Sequence, residues 1–266
     1  MPVEAKVICD SLGSTGTRLT TVEVKLHRFV LAELNTHRMF SRNSASSRAI
    51  PVEKALQRVF EDPAMPLHWG RNQKGMQATE ELSPDDLLRC QRLWRKACDS
   101  ALLTVRNLVE IGLHKQVANR LLEPFMWHTV IISATEWENF FAQRCHPAAQ
   151  PEMRAAAEAI LEAISGSDPI NVPDGGWHLP YVSENEGLSI DLARRVSVAR
   201  CARVSCLTQD GVRDTRLDLE LHDRLASAVP PHASPFEHVA TPAPLNGHLP
   251  GNFKGWMQLR HRIGMS

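Results

Sequence analysis

Hydrophobic and polar positions alternate most clearly over residues 22–26, where Val22, Val24 and Leu26 are separated by Glu23 and Lys25. A period of two predicts a strand with one buried face. Phe29-Val30-Leu31-Ala32 continues it as a more fully apolar stretch, so residues 18–34 are expected to form a strand or a bent pair of strands. Pro51 then opens a short helix from Val52 to Phe60. Residues 61–82 carry Pro63, Pro66, Gly70 and Gly75 and read as irregular. The clearest helix starts at Ser83, a good N-cap, with Pro84 in the first turn and Asp85 and Asp86 at the positive end. Leu87, Cys90, Trp94, Ala97, Ala101, Val105 and Leu108 recur at steps of three and four as its expected core stripe, and Gly112 is its expected stop.

Further along, Lys115 to Glu123 reads as a helix ending at Pro124, and Trp127 to Ala134 suits either a strand or a buried helix. A helix capped by Ser133 or Thr135 is expected to carry Trp137, Asn139, Phe140, Phe141 and Arg144. Residues 149–165 form an Ala/Glu helix ending at Gly166, and 167–188 a long loop. Helices near 190–204 and 212–227 precede a Pro/Gly-rich tail, after Pro230, expected to be mostly irregular. Helix outweighs strand, which points to an α+β or α/β class with one small sheet.

Composition narrows the functional classes. The chain has 266 residues, 43% of them hydrophobic, enough for a sizeable core. Its formal net charge is zero, which argues against a nucleic-acid partner with a wide basic footprint. No apolar run is long enough to span a bilayer, and Met1 to Lys6 lacks a signal-peptide core, so a cytoplasmic protein without a membrane partner is expected. The six cysteines include no C-x2-C pair, and the expectation is free thiols and no metal site.

The densest chemistry lies in His37-Arg38-Met39-Phe40-Ser41-Arg42-Asn43-Ser44-Ala45-Ser46-Ser47-Arg48, an H-R-x2-S-x4-S-x-R pattern. Arginine offers a planar fork matched to phosphate, and hydroxyls add donors, so the segment reads as an anion-binding loop in preference to a plain solvated one. Asn139 and Arg144 lie five apart, about 140° around a helix, and are candidates to line one cleft from two sides. Two further polar segments look placed: Ala199 to Ser205, rich in small residues, and Pro231 to His238.

Taken together these segments resemble the flavin-dependent thymidylate synthases. That family carries R-H-R-x2-S-x-N-E-x-S-x-R-Y after a strand, matched here by Thr36-His37-Arg38, Ser41, Asn43, Ser46 and Arg48. Ala202-Arg203-Val204-Ser205 and Ser234-Pro235-Phe236-Glu237-His238 resemble its A-R-V-S and S/T-P-F-E-H segments. Asn139-Phe140, Arg144, Ala149-Gln150 and Glu152 resemble its N-F-x3-R-x4-A-Q-x-E region. In the family the A-R-V-S and S-P-F-E-H segments precede the arginine motif; here they follow it, so residues 1–266 read as one circularly permuted domain. Thr36, Ser44 and Ala49 replace the family's Arg, Glu and Tyr, and Glu33 replaces a Gln. A second R-H-R, Arg260-His261-Arg262, lacks the downstream partners and reads as a decoy or an auxiliary.

The resemblance implies a small, mainly antiparallel sheet packed with several long helices. It implies that dUMP is reductively methylated to dTMP, with methylenetetrahydrofolate as carbon donor, NADPH as co-substrate and FAD carrying the hydride. By the same resemblance, Ser46, Arg48 and Arg144 hold the nucleotide and act in catalysis, with Glu33 on the nucleotide side. His37, Arg38, Ser41, Asn43, Asn139, Ser205, Ser234 and Glu237 would contact FAD. A homotetramer with sites shared between subunits is expected. The alternatives are a related C5 methylase or hydroxymethylase acting on dCMP or dUMP, and a non-catalytic nucleotide-binding scaffold.

Overall fold

In the computed structural model, residues 3–204, 214–243 and 251–265 are described. A five-stranded sheet is built from β1 (Glu4–Gly13), β2 (Arg18–His27), β3 (Ser41–Ser44), β4 (Trp127–Ala134) and β5 (Ile170–Val172), in the order β3-β4-β2-β1-β5. All neighbours are antiparallel except β1 and β5. The class is α+β, as the resemblance implies. β4 is the strand alternative for Trp127 to Ala134, and its near-continuous burial explains the ambiguity. Val130 and Ile132 join Val22, Val24 and Leu26 against helix α6 (Pro151–Ser165). Ile131 faces the other way, onto Cys201 and Val204 at the end of helix α7 (Ile190–Ala202).

Several expectations need correction. β2 stops at His27, and Phe29 to Ala32 does not extend it: Arg28–Val30 is a 3-10 turn and Leu31–Leu34 a single helical turn, α1. Val30 and Leu34, four apart and so about one helical turn from each other, both enter the core. β1 went unread because its register slips between Val7 and Cys9, which breaks the alternation. Helix α2 (Val52–Glu61) and the long α3 (Pro84–Glu110) form as expected, with Ser83 accepting from the Asp86 amide. The α3 stripe is rotated: Cys98, Leu102 and Val105 are the buried line, and Ala97 faces outward. The next segment is a short α4 (Lys115–Ala118) followed by a 3-10 run Asn119–Phe125 that continues through Pro124.

Helix α5 (Glu138–Arg144) begins without a side-chain cap, and Thr135 instead accepts from the Lys254 amide. The loop 61–82 is anchored by Glu152, buried in α6, which accepts from the Leu67 amide at 2.7 Å. The tail is not mostly irregular: β6 (Ala240–Pro242) and β7 (Trp256–Gln258) pair as a hairpin, followed by the helical turn Leu259–Arg262. That hairpin brings the C-terminal segment onto the start of β3.

Candidate functional site

The turn between α1 and β3 puts the first half of the arginine motif against α5. His37 is buried, packed edge-on to Phe140 at 4.9 Å between ring centres. Arg144 donates from Nε to His37 Nε2 at 2.9 Å and from Nη2 to Thr36 Oγ1 at 3.3 Å; its Nη1 lies 3.8 Å from Glu33 Oε2. Glu33, which would oppose a phosphate if unpaired, is thus answered by Arg144, and Thr36 accepts from that same guanidinium. Burial, then the Arg144 and Arg42 cations, hold His37 below its ordinary value, so the ring is neutral and its proton sits on Nδ1. A cavity of about 540 Å³ opens beside it, lined by His37, Arg38, Phe40, Asn139 and Gln143 among others. Asn139 faces this cavity and accepts from Gln143 at 3.2 Å. Arg144 braces His37 and is not among the lining residues, so the two do not flank one cleft.

The tail completes the second part. Ser41 is buried opposite Ser133 of β4 and accepts from Gln258 Nε2 at 2.9 Å. Gln258 also donates to the Glu237 carbonyl at 3.0 Å, and Asn252 donates to the Met39 carbonyl at 2.9 Å. The Glu237 carboxylate pairs with Arg260 of the second R-H-R. Arg42 is half-buried and clamps the turn by donating to the carbonyls of Leu34 and His37. Asn43 reaches the Cys201 carbonyl at the end of α7, at 3.5 Å. Ser234 is exposed at the start of the 3-10 turn Ser234–Glu237. Ser205 lies outside the described residues.

The third part lies past the other end of β3. Ser46 and Arg48 are exposed, and their side chains have no partner among the described residues. Ser47, between them, is buried and donates to Glu123 at 2.6 Å. Glu123 also accepts from Arg28 at 3.2 Å and Arg120 at 2.7 Å. Burial works to raise the Glu123 carboxyl, but Ser47, Arg28 and Arg120 together hold it below the usual carboxylate range. Asn119 adds bonds to the carbonyls of Ser47 and Ile50 at 2.8 and 3.0 Å. The segment is fixed from behind while its two outward donors stay open.

Sequence reading missed Ser47, Glu123 and Asn119, and also Gln258 and Asn252. Glu123 carried a weak signal, a lone carboxylate amid Leu121-Leu122 and Pro124-Phe125. The residues present fit a flavin dinucleotide at the His37 cavity: Arg38 supplies a cation for a diphosphate, Phe40 and Phe140 supply aromatic walls, and Asn139 and Gln143 supply amides. Two carboxylates share the wall: Glu136 pairs with Lys254, and Glu138 accepts from the Trp137 amide.

Residues 18–170 match the family described as thymidylate synthase complementing protein. No curated protein matches the chain in sequence. Among solved structures, a UMP/dUMP methylase PolB from Streptomyces cacaoi bound with 5-Br UMP is similar, with a TM-score of 0.50 and 16% identity, over 61% of this chain and 88% of that one. The same methylase bound with 5-Br dUMP gives a TM-score of 0.51 at 16% identity, over 61% and 90%. At such identity the likeness is one of fold.

Proposed function

The chain belongs to the thymidylate synthase complementing protein family, and from that premise we propose that it is a flavin-dependent C5 methylase converting dUMP to dTMP. Methylenetetrahydrofolate supplies the carbon, and NADPH is the reductant. FAD, when bound, carries the hydride between them; the protein binds, orients and polarises. The observation that carries the reading is the meeting of three distant segments: His37 to Ser41, Arg144, and Glu237 with Gln258 and Arg260. His37 to Ser41, Arg144 and Glu237 are positions that the family resemblance assigns to one site, and Gln258 and Arg260 are the residues that tie Ser41 and Glu237 into it.

In this reading His37, Arg38 and Asn139 hold FAD at the cavity, with Asn43, Ser41, Ser234 and Glu237 on its far side, and Ser205, which lies outside the described residues, is a further contact by the resemblance. Ser41 acts through Gln258, since its hydroxyl is buried. Arg48 takes the phosphate and Ser46 adds a donor. Arg144 stabilises negative charge developing on the pyrimidine. Within one chain Arg144 meets His37 ahead of β3, whereas Arg48 follows β3 beside the Ser47–Glu123 contact, and the four residues of β3 between them span about 13 Å. Sites shared between copies, in a cytoplasmic homotetramer, resolve this. The permuted single domain is supported by the family match ending at residue 170, ahead of the A-R-V-S and S-P-F-E-H segments.

A product assay tests the reading. The protein is incubated with methylenetetrahydrofolate, NADPH and FAD, and dUMP and dCMP are offered separately. The expected product is dTMP, identified by mass. A hydroxymethyl product, or turnover of dCMP alone, would keep the flavoprotein and reject the thymidylate assignment. A colourless protein that takes up no FAD would reject the flavoenzyme itself.

A further inference from the structure

The helical turn Leu259–Arg262 carries a cation that the site described above leaves unused. Arg262 is exposed, and its guanidinium has no hydrogen bond or ion pair among the described residues. It lies over the ring of Trp177, 5.3 Å from the centroid. A second guanidinium, that of Arg194 in α7, lies over the same ring at 4.8 Å. Arg194 also donates to Asp191 at 2.6 Å, so its charge is partly answered, whereas that of Arg262 is not. Trp177 in turn packs against the cluster of Val198, Phe236, Val239 and Leu259, which includes the phenylalanine of the S-P-F-E-H turn.

Two like charges gathered on one indole repel each other, and stacking on the ring holds both in place. Guanidinium forks fixed in this way match a phosphate group, which can accept from both at once. Trp177 also forms part of the wall of a cavity of about 670 Å³. Leu179, Ile190 and Ala193 line it with apolar surface, and Asp168 and Glu184 line it with exposed carboxylates. Apolar walls suit a purine ring, and carboxylates accept from an amino group and from ribose hydroxyls. The same carboxylates repel a phosphate, which leaves that group to the arginines. Cavity and arginines together therefore fit a nucleoside on one side of Trp177 and its phosphate on the other.

We propose that the cavity takes the adenosine of NADPH and that Arg262 and Arg194 take its 2′-phosphate. The assignment rests on the methylase reading, in which NADPH is the reductant. Arg260, two residues before Arg262, pairs with Glu237 on the flavin side, so a dinucleotide held at Arg262 begins beside the flavin's wall. NADH has a hydroxyl where NADPH has the phosphate, so the two arginines also set the choice between the reductants.

Calorimetric titration of the full chain tests the site without turnover, using 2′,5′-ADP, 5′-AMP and inorganic phosphate as probes. The expected order has 2′,5′-ADP binding about tenfold or more tightly than 5′-AMP, with inorganic phosphate weakest. Arg262→Ala is expected to remove most of that difference while its melting curve matches that of the wild type, since the side chain is exposed. Equal binding of 2′,5′-ADP and 5′-AMP, or a difference that survives Arg262→Ala, would overturn the phosphate contact. Inorganic phosphate binding as tightly as 2′,5′-ADP would overturn the adenosine pocket. In steady-state kinetics the preference for NADPH over NADH in kcat/KM should fall about tenfold in Arg262→Ala. An unchanged preference, in an enzyme that still forms dTMP with NADPH, would overturn the site and leave the methylase reading standing. Tight 2′,5′-ADP binding lost in Arg262→Ala, in a protein that takes up no FAD and converts no nucleotide, would support the site and reject the methylase reading alone.

Discussion

The two ends of the arginine motif solve opposite problems. At the His37 end the polar groups are occupied within the chain: Arg144 on His37, Glu33 beside Arg144, Gln258 on Ser41 and Arg260 on Glu237. At the other end the interior partner, Ser47, is locked to Glu123, while Ser46 and Arg48 face outward with their donors open. Half-finished polar clusters are costly when buried, so the open pair belongs at a surface that something else completes. The difference separates side chains already partnered within the chain from side chains left open.

Substitutions at the two ends should therefore fail differently. Arg144→Ala is expected to lower kcat about 100- to 1000-fold, because in the proposed role it stabilises charge that appears in the transition state. Arg48→Ala is expected to raise the KM for the nucleotide about tenfold or more, with thermal stability unchanged. Steady-state kinetics with dUMP and a melting curve separate the two. If Arg144→Ala changed only KM, the assignment of roles would be reversed.

Stability divides along the same line. Ser47→Ala should cost about 1–3 kcal/mol, since it leaves a half-buried carboxylate short of a donor, whereas Ser46→Ala should stay within about 0.5 kcal/mol. Urea titration measures both, and equal losses would erase the contrast between the buried and the open serine.

The smallest effect is in pH dependence. The folded-state value of His37 is depressed, so its contribution is complete above the unfolded value, about 6.5, and is lost as pH falls from there. Glu123 is also depressed, so its contribution is complete above the unfolded carboxylate value, about 4.3, and is lost only in more acid solution. His37→Gln should lessen the slope of the stability profile just below neutrality, to which His128, His178 and His238 also contribute, and Glu123→Gln should lessen it only in the acid range. Identical profiles for the two variants would contradict the assignment.

Much of this was legible in the sequence. Ser83, Pro84 and Gly112 marked the long helix because capping is local chemistry. The four motif segments stood out because polar residues at fixed spacings are rare outside sites. Three things were hidden. The 3-10 and helical turns at Phe29 to Leu34 share an apolar composition with a strand, and Val30 and Leu34, four apart, would share one face in either form. The hairpin of the tail depends on pairing across a distance, Ala240 with Gln258, that no local pattern encodes. The Ser47–Glu123 contact spans 76 positions, so neither residue announces the other.

Mixing two inactive variants tests most directly whether the two ends of the motif meet between copies of the chain. Arg144→Ala and Arg48→Ala proteins are combined in equal amounts, dissociated and reassembled, and dTMP formation is measured. A shared site built from Arg144 of one copy and Arg48 of another predicts recovery to about a quarter of the wild-type rate. A mixture as inactive as its parents, with mixed oligomers demonstrated by mass, would contradict the account and place both arginines in one chain's site.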